Sequence, residues 1–335
     1  MSAVNQDIIK KFCELTSNVK KAIIFMHVNP DGDAVGSALA LSIAFKQCGI
    51  DAKVVVPNAV PGNLQWMPNF ECISASLPVD EIRKMCNETD IVIAVDFSNF
   101  SRIDKYAKVI EECGKKTILI DHHTNPIQNV DLLISDTNVS STCEIIFELL
   151  QKVGFQLTTE IATCIYVGII TDTGNFNYNS NNVETFENVI ELLKLGIDKD
   201  NITNLVYKNL PVEQVQLLGH ILFQRMVVMP QKNVAYIYMT LKDQHKFFYQ
   251  PGNSDNFVHY PLSIDTVRLS AFFVENKKFI RVSFRSKGDF DVNEFARKYF
   301  HGGGHKNASG GKRTEPLKTV IEDFEKIVLK YIDKI

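Results

Sequence analysis

An apolar run, Ala22-Ile23-Ile24-Phe25-Met26, stops at His27-Val28-Asn29-Pro30-Asp31-Gly32-Asp33, and a helical pattern begins at Ala34. A buried strand that enters a helix through so short a turn is the start of a βα unit, which points the chain towards a parallel sheet. The turn also crowds three hard ligands together. Asp31 and Asp33 stand two residues apart, and carboxylates this close repel each other unless a cation lies between them. Pro30 and Gly32 suit a tight turn, while Gly36 and Ser37 allow close backbone approach. Two readings stand at this point: a metal site, or a polar loop whose aspartate caps a helix.

The pattern repeats. After an opening helix near 6–17, apolar runs at 52–56, 91–95, 117–120 and 132–134 alternate with helical stretches at 34–48, 80–87, 103–112, 141–152, 159–171 and 183–195. The fold class expected is α/β, with an N-terminal, mainly parallel sheet covered by helices on both faces. From Gly196 the alternation stops. Residues 1–195 read as one domain and 196–224 as a linker with a connecting helix at 212–224. Residues 225–335 read as a smaller α/β domain, with strands near 225–229, 233–240, 267–274 and 279–285 and helices at 291–299 and 317–332.

Further chemistry closes the runs of the first domain. Ile91–Val95 ends in Asp96, Thr117–Ile120 ends in Asp121-His122-His123, and the helix at 159–171 ends in Asp172. Each alone has a local explanation as a cap, a satisfied histidine or an Asx turn. Together they sit where a parallel sheet delivers ligands, at the carboxyl ends of its strands. Charge is divided to match: residues 1–211 carry 17 Lys/Arg against 26 Asp/Glu, and residues 212–335 carry 19 against 13. An acidic part suits cations and a basic part suits an anionic substrate. The net charge of -3 argues against binding long duplex nucleic acid. No membrane span or signal peptide is evident, and seven cysteines without a CxxC pair suit reduced thiols in a cytoplasm. Trp66 reads as a core or interface anchor before a base-stacking platform.

The ordered motifs His-x-Asn-x-Asp-x-Asp at 27–33, Val-Asp-x-Ser at 95–98, Asp-His-His at 121–123, Asp-Thr-Gly at 172–174 and Gly-Gly-Gly-His at 302–305 resemble the DHH/DHHA1 phosphoesterases. The resemblance spans nearly the whole chain and is nearest to the stand-alone oligoribonucleases, or nanoRNases, that also dephosphorylate 3′-phosphoadenosine 5′-phosphate (pAp). It implies two divalent cations, for which mixed imidazole and carboxylate ligands favour Mn²⁺. His27, Asp31 and Asp96 would hold one; Asp33, Asp96, His122 and Asp172 the other. Water activated by the pair would attack phosphorus. Asp121 would orient a neighbour, and His123 would face the scissile phosphate.

In the second domain the resemblance makes Arg285 a phosphate clamp, assisted by Arg268 and Ser286, with Gly303, Gly304 and His305 in a phosphate-wrapping loop. The family pattern often has glycine at position 301, so His301 is a departure. The implied substrates are very short single-stranded RNA and pAp, in the cytoplasm, with a homodimer left open. Linear or cyclic dinucleotides, or an inactive nucleotide-binding regulator, are the alternative readings.

Overall fold

The computed structural model describes residues 3–250, 254 and 256–330. Two compact units divide the chain, Met1–Asn209 and Leu210–Ile335. In the first, β1 (Lys21–Phe25), β2 (Asp51–Val56), β3 (Ile73–Ala75), β4 (Ile91–Val95), β5 (Lys116–Asp121) and β6 (Leu132–Ser135) form one sheet in the order β3-β2-β1-β4-β5-β6. Every pairing in it is parallel.

Side-chain alternation divides the apolar strands between two cores. Ile24, Val54 and Ile93 face one; Ile23, Val55 and Val92 face the other. The first core is covered by α1 (Gln6–Thr16) and α2 (Gly32–Gln47), the second by α3 (Val79–Glu88) and α4 (Ala107–Glu112). Helices α5 (Thr142–Val153), α6 (Thr159–Asp172) and α7 (Val183–Lys194) complete the first layer. Helix α2 is buried continuously from Gly32 to Phe45, as expected of a helix apolar around its whole circumference. It can lie against α6 because glycines line the crossing. A Cβ on Gly36 would fall 2.4 Å from the Cys164 carbonyl oxygen, and one on Gly168 would fall 2.7 Å from Asp33 Oδ1 of α2.

The stretch read as the start of a linker folds as α8 (Lys199–Tyr207). Ile202 and Val206, one turn apart, are buried in the first core, so the first unit continues to Asn209 rather than ending at 195. Helix α9 (Val212–Gln224) belongs to the second unit, packing Leu217 and Ile221 against Ile237 and Phe272. That unit continues through β7 (Met226–Met229), β8 (Val234–Met239), α10 (Leu241–Lys246), β9 (Leu269–Glu275), β10 (Ile280–Ser286), α11 (Val292–Tyr299), β11 (Gly303–His305), β12 (Ala308–Arg313) and α12 (Leu317–Leu329). Its sheet runs β11-β12-β10-β9-β8-β7, antiparallel except for the parallel pair β8–β9. The last residues of the expected helix 317–332 lie outside the described residues. Among those described, no helix is long and apolar enough to cross a membrane.

Candidate metal centre

The first unit brings its acidic and imidazole motifs to one place at the carboxyl edge of the sheet. Asp31 caps α2: its Oδ1 accepts from the amides of Asp33 and Ala34, each at 3.1 Å. Its Oδ2 lies 3.9 Å from His27 Nε2, so the capping and ligand readings of this residue are compatible. His27 Nδ1 donates to the Val28 carbonyl at 2.8 Å, which leaves Nε2 turned towards the carboxylates.

Asp33 is fully buried. Its two oxygens accept from the amides of Thr142 and Cys143, at 2.6 and 2.9 Å, at the N-terminus of α5. Backbone donors and the positive end of the helix dipole suit a carboxylate there. The same Thr142 donates its hydroxyl to Asp96 Oδ1 at 3.0 Å. Sequence reasoning passed over Thr142, although Ser141-Thr142-Cys143-Glu144 carries a helix-start pattern.

Asp96 sits between the histidines. Its carboxylate lies 3.4 Å from His27 Nε2, 3.6 Å from His122 Nε2 and 3.7 Å from His123 Nδ1. The backbone there is left-handed, φ 62°, a strained conformation of the kind found at functional sites. Asp172 Oδ2 lies 3.1 Å from His122 Nε2, and Asp33 Oδ2 lies 3.8 Å from it. Asp121 engages the other imidazole, accepting from His123 Nδ1 at 2.7 Å, while its buried Oδ2 has no hydrogen-bond partner.

Three groups of this unit have ligand atoms that all lie within 4.8 Å of one another: His27, Asp31 and Asp96; Asp33, His122 and Asp172; and Asp96, Asp121 and His123. The first two hold the expected ligands. Asp96 adjoins both. Electrostatics mark the same place. Burial and the charges of Asp33, Asp31, Asp172 and Asp121 push Asp96 well above the usual carboxylate range. Burial and Asp33 push Asp172 up to about 7. Burial opposes charging of His122, but Asp172, Asp33 and Asp121 prevail and raise it to about 9. So many buried acids cost free energy as they stand, and divalent cations between them would offset the repulsion. The donor set of imidazole nitrogens and carboxylate oxygens therefore fits such ions.

Family models match this arrangement along most of the chain: the DHH family N-terminal domain over residues 21–169 and the DHHA1 domain over 231–334. The bifunctional oligoribonuclease and PAP phosphatase NrnA of Bacillus subtilis is 32% identical over 293 residues, covering 86% of this chain and 88% of that protein. The chain belongs to the DHH/DHHA1 family. A crystal structure of an exopolyphosphatase-related protein from Bacteroides fragilis superposes on this DHH/DHHA1 chain with a TM-score of 0.93. It is 38% identical and covers 99% of this chain and 98% of that one. RecJ of Thermus thermophilus, in complex with Mn²⁺, shares the fold at 14% identity and a TM-score of 0.58. The match covers 98% of this chain and 55% of RecJ.

In the DHHA1 unit the expected phosphate contacts fall into two kinds. Arg285, on β10, donates from Nε to His259 Nε2 at 3.2 Å and from Nη1 to the Phe284 carbonyl at 2.9 Å. Arg268 is exposed just before β9. Ser286, by contrast, is buried with its hydroxyl donating to the Phe290 carbonyl and accepting from Asn307, so it serves the turn.

Gly303, Gly304 and His305 form strand β11 rather than a wrapping loop, and the Gly304 amide already donates to Asn293 Oδ1 at 3.0 Å. The glycines here serve strand packing: a Cβ on Gly302 would fall 1.8 Å from the Gly310 carbonyl oxygen. His301 has φ 48°, a left-handed conformation that glycine adopts without strain. Trp66 is half-buried against the first core, with its indole donating to the Asn63 carbonyl at 2.7 Å.

Proposed function

We infer that this protein is a metal-dependent phosphoesterase that hydrolyses very short RNA oligonucleotides to mononucleotides and pAp to AMP, with Mn²⁺ as its cation. The observation that carries this reading is the pair of ligand groups at one sheet edge, with Asp96 in the first and beside His122 of the second. The activities named for the Bacillus subtilis relative support the substrate class. When bound, divalent cations would lower the pKa of a coordinated water and offset charge developing on the phosphate oxygens.

The chain's own residues do the rest. His27, Asp31 and Asp96 would hold one cation; Asp33, Asp96, His122 and Asp172 would hold the other. Asp121 fixes the His123 ring through Nδ1, and His123 supplies a proton to the leaving oxygen. Arg285, Arg268 and His305 bind substrate phosphate. All seven cysteines are unpaired, which supports a cytoplasmic setting.

The decisive assay compares initial rates on a dinucleotide, a pentanucleotide, pAp, a cyclic dinucleotide and tripolyphosphate, each with Mn²⁺ and with Mg²⁺. Mononucleotide release from the short RNAs and AMP from pAp, abolished by Asp96→Asn, is the expected result. Turnover confined to cyclic dinucleotides or tripolyphosphate refutes the substrate class. Nucleotide binding without turnover of any substrate refutes the enzyme.

A further inference from the structure

The turn between β1 and α2 carries His27 and Asp31, two of the three residues in the first ligand group. Its conformation is set from outside. The Val28 amide donates to the Arg102 carbonyl at 2.8 Å, and Asp31 is tied to α2 by its capping bonds. Pro30 fixes its own φ through its ring. That leaves Asn29, which is left-handed at φ 53°, a conformation that residues with a Cβ rarely adopt.

A half-buried residue of another segment meets Asn29 there. Asn58 stands just beyond Val56, the last residue of β2. Because β2 runs parallel to β1, the two chains leave the sheet at the same edge. Asn58 Oδ1 accepts from the Asn29 amide at 2.6 Å, and Asn58 Nδ2 donates back to Asn29 Oδ1 at 3.1 Å. A further bond from Nδ2 to the Ala59 carbonyl, at 3.2 Å, orients the Asn58 amide.

We propose that Asn58 is a positioning residue for the cation of His27, Asp31 and Asp96. It touches none of these three and acts through Asn29. His27 Nε2 and Asp31 Oδ2 face each other at 3.9 Å only while the chain reverses direction between them. The reciprocal pair holds both the amide and the side chain of Asn29, and so holds that reversal in its unfavourable conformation. Released from Asn58, Asn29 can relax to the backbone regions it prefers, and the relaxation moves Asp31 relative to His27. Ligands kept in place need no ordering when a cation binds, so a looser turn reads as weaker affinity. Partners beyond the ligands themselves change metal affinity about 10- to 100-fold, and action through one intervening residue puts Asn58 at the low end. The inference rests on the cation reading of the site proposed above.

Calorimetric titration of Mn²⁺ into the full chain, cleared of metal with a chelator, tests the proposal. Asn58→Ala should raise the Mn²⁺ Kd about 10-fold. Asn29→Gly keeps the backbone bond to Asn58 and removes the side-chain one, so it should raise Kd about 3-fold. Far-UV circular dichroism establishes folding, and the second variant stands in should the first misfold. Asn69→Ala is the structural control. Asn69 is also left-handed, φ 62°, but donates to Ser42 Oγ at 2.8 Å, which lies about 14 Å along α2 from Asp33. That substitution should lower Tm and leave Kd unchanged. A native Kd in the folded variants overturns the proposal, whether or not their Tm falls. So does an equal loss of affinity in Asn69→Ala. A native protein that binds no Mn²⁺ overturns the cation reading together with this inference, whereas native binding with an unchanged Asn58→Ala Kd overturns this inference alone.

Discussion

Gly168→Ala probes the helix crossing that holds Asp33 in place. At an open helical position alanine is favoured over glycine by about 1 kcal/mol. Gly168 is not open, because an added Cβ would lie 2.2 Å from Cys143 Sγ, 2.7 Å from Cys143 Cβ and 2.7 Å from Asp33 Oδ1. Ordinary carbon contacts need about 3.5 Å, so α6 must withdraw by roughly 1 Å or the two side chains must move. Neither moves cheaply: Asp33 is held by two α5 amides, and Cys143 is fully buried.

With contacts this short the overpacking cost lies at the upper end of the usual range, about 3 kcal/mol, which outweighs the helical gain and leaves a net loss of about 2 kcal/mol. For a unit of this length, Met1–Asn209, that is a fall in Tm of roughly 4–8 °C. Displacing Asp33 by about 1 Å should cost on the order of 100-fold in rate. Gly219 in α9 is the matched control, since nothing lies within 4 Å of an added Cβ there. Gly219→Ala should stabilise by about 0.5–1 kcal/mol with activity intact. Thermal melts and Mn²⁺-dependent dinucleotide hydrolysis read both effects. A Gly168→Ala protein with native Tm and native kcat would refute the packing argument.

Removing cations with a chelator should lower Tm, and restoring Mn²⁺ to about 100 Kd should return about 2.7 kcal/mol; Asp96→Asn should abolish that difference in calorimetry. Thr142→Val keeps the amide that Asp33 accepts and removes only the hydroxyl bond to Asp96. It should weaken cation affinity about 10- to 100-fold in a titration, and unchanged affinity would show that bond to be idle. Burial and Arg285 hold His259 down at about 4. The unfolded chain takes up this proton near pH 6.5 and the folded one does not, so the His259 contribution to stability is lost as pH falls from 6.5 towards 4. Urea midpoints across that window should therefore fall more steeply for the native protein than for His259→Gln; parallel curves would contradict the assignment.

Much of the first unit was legible because local patterns and the fold agree. The runs before His27, Asp96 and Asp121 are strands, and their last residues share an edge because parallel pairing aligns carboxyl ends. Asp172 was legible as a helix end, yet its approach to His122 depends on how α6 crosses the sheet. Short elements were harder. Strand β3 and strands β11 and β12 were not anticipated: the first has three residues, and the other two are glycine-rich and gain their order from neighbouring strands. Helix α8 was hidden because polar residues surround Ile202 and Val206, which only the packed core makes decisive.

What the sequence determined alone was the kind of molecule: strand-to-helix turns bearing acids and histidines, in one order, on a parallel sheet. Residue type and spacing suffice for that, since periodicity selects strand or helix and unlike motifs end at like places. Only the tertiary structure decided which imidazole Asp121 serves, that the α5 amides hold Asp33, and that Gly304 and Ser286 spend their polar groups on strand and turn. Those are contacts between residues up to 110 positions apart. They depend on how close two helices or strands can come, a distance set at positions such as Gly36, Gly168 and Gly302 by the absence of a side chain.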